Sequence, residues 1–148
     1  MSGGMAVPAI VGFATGVALI VAFALYAANQ SFVAVHPSRV SIVILPKGTS
    51  DSNSGLNFEP EMIKVVIGDN NTVRWINQDI VPHTVISNSD YIDPVSGNFS
   101  SIAQTEQVRG GYMLPGQSFN FTFTKPGVFE YHSEPDPWLS GTVVALAG

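Results

Sequence analysis

This 148-residue chain predicts an all-β sandwich preceded by one N-terminal transmembrane helix, on three observations. Across residues 6–28 every side chain is apolar or small apart from Thr15, and no charge appears before Arg39. From Arg39 onward the sequence changes to short runs rich in β-branched and aromatic residues, separated by Gly, Pro, Asn and Asp turn signals. Phe119, Phe121 and Phe123 sit at alternating positions, which puts all three rings on one face of a strand.

Residues 1–5 form a tail, MSGGM, without Lys or Arg. At about 1.5 Å rise per residue, residues 6–28 cover the roughly 30 Å hydrocarbon layer as a helix with little excess. A cleaved signal peptide would have an apolar stretch of about 7–15 residues preceded by positive charge, so a retained anchor is expected. Charge says little about its orientation: Arg39 and Lys47 come after it, and Asp51, Glu59 and Glu61 outnumber them. Asn-x-Ser/Thr sequons at Asn29, Asn70, Asn98 and Asn120 favour an extracytoplasmic face for the chain beyond the helix. The expected location is the cell membrane, single-pass, with the C-terminal domain outside the cytoplasm. Residues 29–38, containing His36 and Pro37, make a connector short enough to hold that domain near the bilayer.

The domain itself is expected over residues 39–148. Strands are predicted at 40–45, 58–67, 72–77, 83–87, 107–114, 117–124, 127–133 and 142–147. Residues 47–56 and 68–71 read as a loop and a turn, and the long polar stretch 87–104 as an insertion loop. Short strands at this spacing indicate an antiparallel sandwich or barrel, and about 110 residues suffice for one core.

Composition removes several function classes. With 6 basic and 11 acidic residues the net charge is −5 and the basic residues are scattered, so nucleic acid has no positive footprint to bind. The absence of cysteine excludes disulfides, thiolate metal sites and cysteine nucleophiles together. Ser133, His83 and Asp136 supply the membership of a hydrolytic triad, but geometry defines one and no Gly-x-Ser-x-Gly elbow is present. Gly110, Gly111 and Gly116 read as turn residues, since no helix comes after them to cradle a phosphate.

Two segments carry a family resemblance. VRWINQDIVPHTV, residues 73–85, resembles the strand and loop that deliver the first histidine ligand in cupredoxins, the blue copper proteins of the plastocyanin and amicyanin kind. YMLPGQSFNFTFTKPGVFEYHS, residues 112–133, continues the resemblance in the same order, over roughly the last 90 residues. The resemblance implies a Greek-key cupredoxin-like sandwich. It also implies a final loop of the pattern Y-H-C-x-x-H-P-W-M-x-G-T-V, which aligns with residues 131–143 without a gap. Ser133 then stands at the cysteine, Asp136 at the second histidine and Leu139 at the methionine, leaving His83 alone of the four ligands.

Blue copper chemistry depends on a thiolate bonded beside two imidazoles, so a conventional site is excluded. The remnant of His83, Asp136 and Ser133 suits at most a labile Cu(II) or Zn(II) completed by water. His132 adds an imidazole, although strand alternation aims it away from Ser133, and Glu134 enters only if the loop is remodelled. Equally, His83 can be a hydrogen-bonded histidine of the fold and Asp136 a turn cap, with no metal at all. A second register compares residues 132–136 with the Cys-Ser-Glu-x-Cys loop of binuclear copper domains and places His132 and Asp136 at the bridging cysteines; it too lacks the thiolates. Trp75 reads as core, and Trp138 as a loop aromatic or part of an apolar docking surface.

The expected function is therefore that of a membrane-anchored extracytoplasmic accessory subunit of a redox complex, such as an oxidase or a copper-dependent monooxygenase. It would not be an enzyme by itself and would have other membrane subunits as partners. The alternatives are a copper- or zinc-binding protein using His83, Asp136, Ser133 and possibly His132, and an electron-transfer cupredoxin on the strength of the family.

Overall fold

Nine short strands, none longer than seven residues, make up the computed structural model, which describes residues 39–104 and 108–148. The expected tail, transmembrane helix and connector lie outside the described residues. Among those described, the sole helical element is a three-residue 3-10 turn, Arg109–Gly111, and none is long and apolar enough to cross a membrane. The strands are β1 (Val40–Leu45), β2 (Met62–Val66), β3 (Thr72–Asn77), β4 (Ile86–Ser87), β5 (Ile92–Asp93), β6 (Gly97–Asn98), β7 (Ser118–Thr122), β8 (Gly127–His132) and β9 (Ser140–Leu146). One sheet has the order β1-β3-β7 and the other β2-β9-β8-β4, with β5 and β6 pairing as a separate hairpin. β1 runs parallel to β3 and β2 parallel to β9, so these pairs are joined by crossovers and not by tight turns.

Alternation builds the core between the sheets. Val73, Trp75 and Asn77 point inward from β3, and Phe119 and Phe121 from β7, with Phe123 just beyond, all buried as their spacing predicts. The Trp75 ring lies 5.6 Å from Phe119, 5.5 Å from Phe99 and, edge-on, 5.4 Å from Tyr131 of the opposite sheet. Such offset and edge contacts each add about 0.5–1.5 kcal/mol to the burial of the rings. Gly141 of β9 faces Tyr131 in register, and a Cβ at this position would overlap the Tyr131 ring and hydroxyl.

Among the predicted strands the largest departures are two that shorten and one, 107–114, that forms no strand in its described part, each for a local reason. Of residues 58–67 only Met62–Val66 pairs with a neighbouring strand; Phe58 is buried and Glu59 makes one bridge to Ile44 before Pro60, which has no N–H to give a ladder. Of residues 83–87 only Ile86–Ser87 is strand. The Thr84 and Val85 amides donate instead to the Ser133 and Ser101 hydroxyls. Over residues 107–114 the described part turns at Gly110 and Gly111, both at positive φ, and makes a single bridge from Met113 to His83.

The largest departure is the stretch 87–104, expected as an insertion loop. It carries the β5–β6 hairpin, buries Phe99 completely and packs the Tyr91 ring, tilted, with its centroid 4.3 Å from that of Phe129. Asp93 fastens it to the body: its carboxylate accepts the Thr124 amide and hydroxyl, both at 2.7 Å, the Val95 and Ser96 amides, and the Tyr91 hydroxyl at 3.0 Å. Burial works to raise this carboxyl, but those hydrogen bonds, led by the Thr124 and Val95 amides, lower it from the ordinary 3.8 to about 2. A depressed carboxyl contributes stability above its unfolded value and loses it as pH falls through the folded one. At about 1.4 kcal/mol per unit, the contribution is about 2 kcal/mol, complete above pH ~4 and gone near pH ~2. Asp93→Asn is accordingly expected to unfold at lower urea at neutral pH and to lose less stability than the parent between pH ~4 and ~2. Equal acid sensitivity of the two proteins would contradict it.

Candidate functional site

At the end of the sandwich where β3 finishes, Asn77 shapes the loop that leads to His83. Its side-chain amide donates to the Val81 and Met113 carbonyls, both at 2.8 Å, and its oxygen accepts the Asp79 amide at 2.9 Å. His83 is then locked by reciprocal backbone hydrogen bonds with Met113, at 3.1 and 2.8 Å, and its ring is fully buried. Its Nε2 lies 2.8 Å from Asp79 Oδ2. Asp79 also accepts the Gly48, Ser50 and Ile80 amides and the Thr49 hydroxyl, at 2.8 to 3.1 Å. Burial alone would raise the Asp79 carboxyl; the hydrogen bonds from Gly48, His83, Ile80 and Thr49 outweigh it and hold the group well below the usual carboxylate range.

An ionised carboxylate only accepts, so Nε2 of His83 is the donor and, in the neutral ring, Nδ1 carries the lone pair. This is the arrangement by which an outer carboxylate orients an imidazole toward a metal. Nδ1 is buried and has no hydrogen-bond partner among the described residues; Asp136 Oδ2, at 3.5 Å, is within ion-pair reach but too distant to serve as one.

The loop after β8 closes over this histidine. The Ser133 amide donates to the Leu139 carbonyl and the Leu139 amide to the Asp136 carbonyl, both at 3.0 Å. Thr84 clamps the same loop: its amide donates to Ser133 Oγ at 3.1 Å, its hydroxyl donates to the Glu134 carbonyl at 3.1 Å and accepts the Glu134 amide at 2.7 Å. Trp138 Nε1 donates to the Thr49 carbonyl at 3.2 Å. The loops at 47–50, 78–83 and 133–139 are thereby laced into one unit around His83.

Of the residues singled out in the sequence, His83, Ser133 and Asp136 lie in this unit. His132 does not join them. It faces outward from β8, with Nδ1 2.6 Å from Asn88 Oδ1 and Nε2 3.5 Å from the exposed Glu134 carboxylate. Leu139 is buried where the family pattern has methionine. Sequence reasoning misses Asp79, its partner Thr49, and Thr84, which clamps the Ser133–Glu134 segment. The only signal for Asp79 is its place four residues before His83, which does not distinguish a buried carboxylate from a solvated one.

The donors here are one open imidazole nitrogen, one carboxylate and one hydroxyl already holding an amide. They do not fit blue copper, which needs a thiolate. Among the described residues no group of three or more His, Cys, Asp and Glu side chains is placed to hold a metal ion. Nor is there a hydrolytic relay, since the orphaned Nδ1 makes no hydrogen bond to Ser133.

Outside the closed loops the end surface is apolar. A hollow of about 590 Å³ is lined by Val81, Pro82, Tyr112, Leu114, Pro135 and Asp136. Ile80, 68% exposed, and the half-exposed Trp138 stand at the same end.

The family model described as copper binding proteins, plastocyanin/azurin family, matches residues 46–145. Amicyanin of Paracoccus denitrificans is 32% identical over 89 residues, which make up 60% of this chain and 58% of that protein. Chloroplastic plastocyanin of Physcomitrium patens is 29% identical over 112 residues, 76% of this chain and 60% of that one. The chain thus spans about six tenths of the length of these two curated relatives. Among solved structures, a purple cupredoxin from Nitrosopumilus maritimus superposes with a TM-score of 0.55 at 26% identity, covering 72% of this chain and 99% of that chain.

Proposed function

We propose that this chain, which belongs to the plastocyanin/azurin family of copper-binding proteins, serves as a membrane-anchored extracytoplasmic subunit of a membrane redox complex and has given up blue copper. The observation that carries the reading is Ser133. It occupies the cysteine position of the family pattern, and its hydroxyl accepts the Thr84 amide in a loop closed by the Ser133–Leu139 and Leu139–Asp136 backbone hydrogen bonds. The scaffold of the ligand loop is kept without the ligand that makes it an electron carrier. What this end still offers a partner is shape and apolar surface: Ile80, Tyr112, Leu114 and Trp138 are exposed around a preformed hollow. Oxidases, quinol oxidases and copper-dependent monooxygenases are suitable hosts by analogy of fold. Purification of the tagged full chain in mild detergent tests the proposal. Co-purifying membrane subunits, lost when Leu114 and Trp138 are both replaced by Asp, are expected; migration as a lone monomer contradicts it.

A second reading rests on the orphaned Nδ1 of His83 beside Asp136. These two donors, with water, would hold a colourless Cu(II) or Zn(II) weakly. Equilibrium dialysis distinguishes it: binding that disappears in His83→Ala favours the metal, and equal uptake by both proteins removes it.

A further inference from the structure

We propose that two copies of this chain pack through the outer face of the β2-β9-β8-β4 sheet, about a two-fold axis that runs along β9. Alternation decides what that face displays, because the buried residues of each strand point into the core and the others point out. The register sets Met62, Thr142 and Glu130 in one outward row and Lys64, Val144 and Val128 in the next. Val128 is 66%, Met62 58% and Leu146 45% exposed, and Val144 joins them into one apolar patch. A sheet face of this kind is covered by packing on another sheet, about 10 Å away.

The charges on the face select a second copy as the occupant and fix its orientation. Lys64 is the sole Lys or Arg on the four strands of this sheet and stands at one side of the patch; Glu130 stands at the other, one row along. Neither makes an ion pair among the described residues. A two-fold axis along β9 keeps each row at its own level and exchanges the sides, so β2 of one copy covers β8 of the other. Each Lys64 then lies roughly 12 Å from Glu130 of the second copy, about 10 Å across the interface and about 7 Å along the strand, a gap that the two extended side chains bridge. A hollow of about 260 Å³ between Met62 and Glu130, with Glu61 on its wall, receives the ammonium beside two carboxylates. An axis running across the strands would instead bring Lys64 to Lys64 and Glu130 to Glu130, like charges along both edges. Together β2, β9 and β8 are about 15 Å wide and about 17 Å long, well under the roughly 800 Å² per partner of a standard interface, so the pair is weak and depends on concentration. The inference is independent of the docking proposed for the His83 end, which lies on the loops and not on this sheet face.

Sedimentation equilibrium of the full-length chain in density-matched detergent tests the proposal. A concentration-dependent dimer is expected. Lys64→Glu and Glu130→Lys should each weaken it about tenfold, because the symmetry breaks both pairs at once and sets like charges against each other. The double variant Lys64→Glu/Glu130→Lys should recover the parental association. Because the chain has no cysteine, a bismaleimide spanning about 10 Å should join two copies of Val144→Cys across the axis. It should not join Ser118→Cys, on the outer face of the β1-β3-β7 sheet. Folded single-charge variants that dimerise like the parent, a folded double variant that does not recover, or equal cross-linking of the two cysteines overturns the proposal. A chain that stays monomeric at its highest soluble concentration also overturns it. A dimer held through residues 6–28 gives the first and third of these results, so it is not mistaken for this one.

Discussion

Replacing Ser133 by cysteine and Asp136 by histidine in the same chain is expected to give a domain that binds Cu(II) and absorbs intensely in the visible. The parts that such a site needs besides its ligands are already in place. His83 is fixed by Met113 on the backbone and by Asp79 on Nε2, so its Nδ1 lone pair is fixed in direction. The Thr84 amide that now donates to Ser133 Oγ would donate to a thiolate at the same position. An imidazole at position 136 replaces the carboxylate that lies 3.5 Å from Nδ1, and completes the thiolate and two imidazoles of a blue centre. Copper affinity should rise by orders of magnitude over the parent, and Leu139→Met in addition should shift the redox potential through the axial position. Titration with Cu(II), followed by visible absorption and electron paramagnetic resonance, checks the result. A folded double variant that takes up no copper would show that the resemblance of the loop does not extend to its geometry.

Asp79→Ala is expected to cost about 3 kcal/mol or more, since each buried donor left without an acceptor costs about 1–3 kcal/mol. The carboxylate is the common acceptor for three backbone amides, the Thr49 hydroxyl and His83. Its loss leaves all five donors short of a partner and uncouples the 47–50 loop from the His83 loop. Since the folded carboxyl is held far below its ordinary value, its stabilisation is present above pH ~4 and is lost only as the solution becomes strongly acidic. Asp79→Asn restores the shape but turns an NH2 toward groups that are themselves donors, so it should recover only part of the loss. Urea unfolding of the domain from His36 onward measures both variants. Nitrogen chemical shifts of the His83 ring report whether the proton leaves Nε2 when Asp79 is gone; an unchanged ring with near-parental stability would contradict the assignment.

The sandwich was legible because its signals are periodic. Alternation at Phe119, Phe121 and Phe123 and the Trp75 strand describe an inner face directly, and the cupredoxin-like segments add its order. Boundaries failed where side chains compete with the ladder. Thr84 and Val85 read as strand, yet their amides belong to Ser133 and Ser101, two hydroxyls that no local pattern could pair with them. The stretch 87–104 read as a loop because it is polar on average; Tyr91 and Phe99 within it were the signal of a buried anchor. At the site, His83, Ser133 and Asp136 were visible through the family pattern. Asp79 was not, because its role is made by amides about thirty residues away in the chain.

The central claim is that this chain keeps the cupredoxin scaffold while giving up its electron-carrying metal. Copper content and voltammetry of the full-length chain, purified and then offered Cu(II), test it most directly. The account predicts less than stoichiometric copper, no thiolate-to-copper absorption and no reversible redox couple. One tightly held copper per chain that exchanges electrons reversibly, and is lost in His83→Ala, would contradict it.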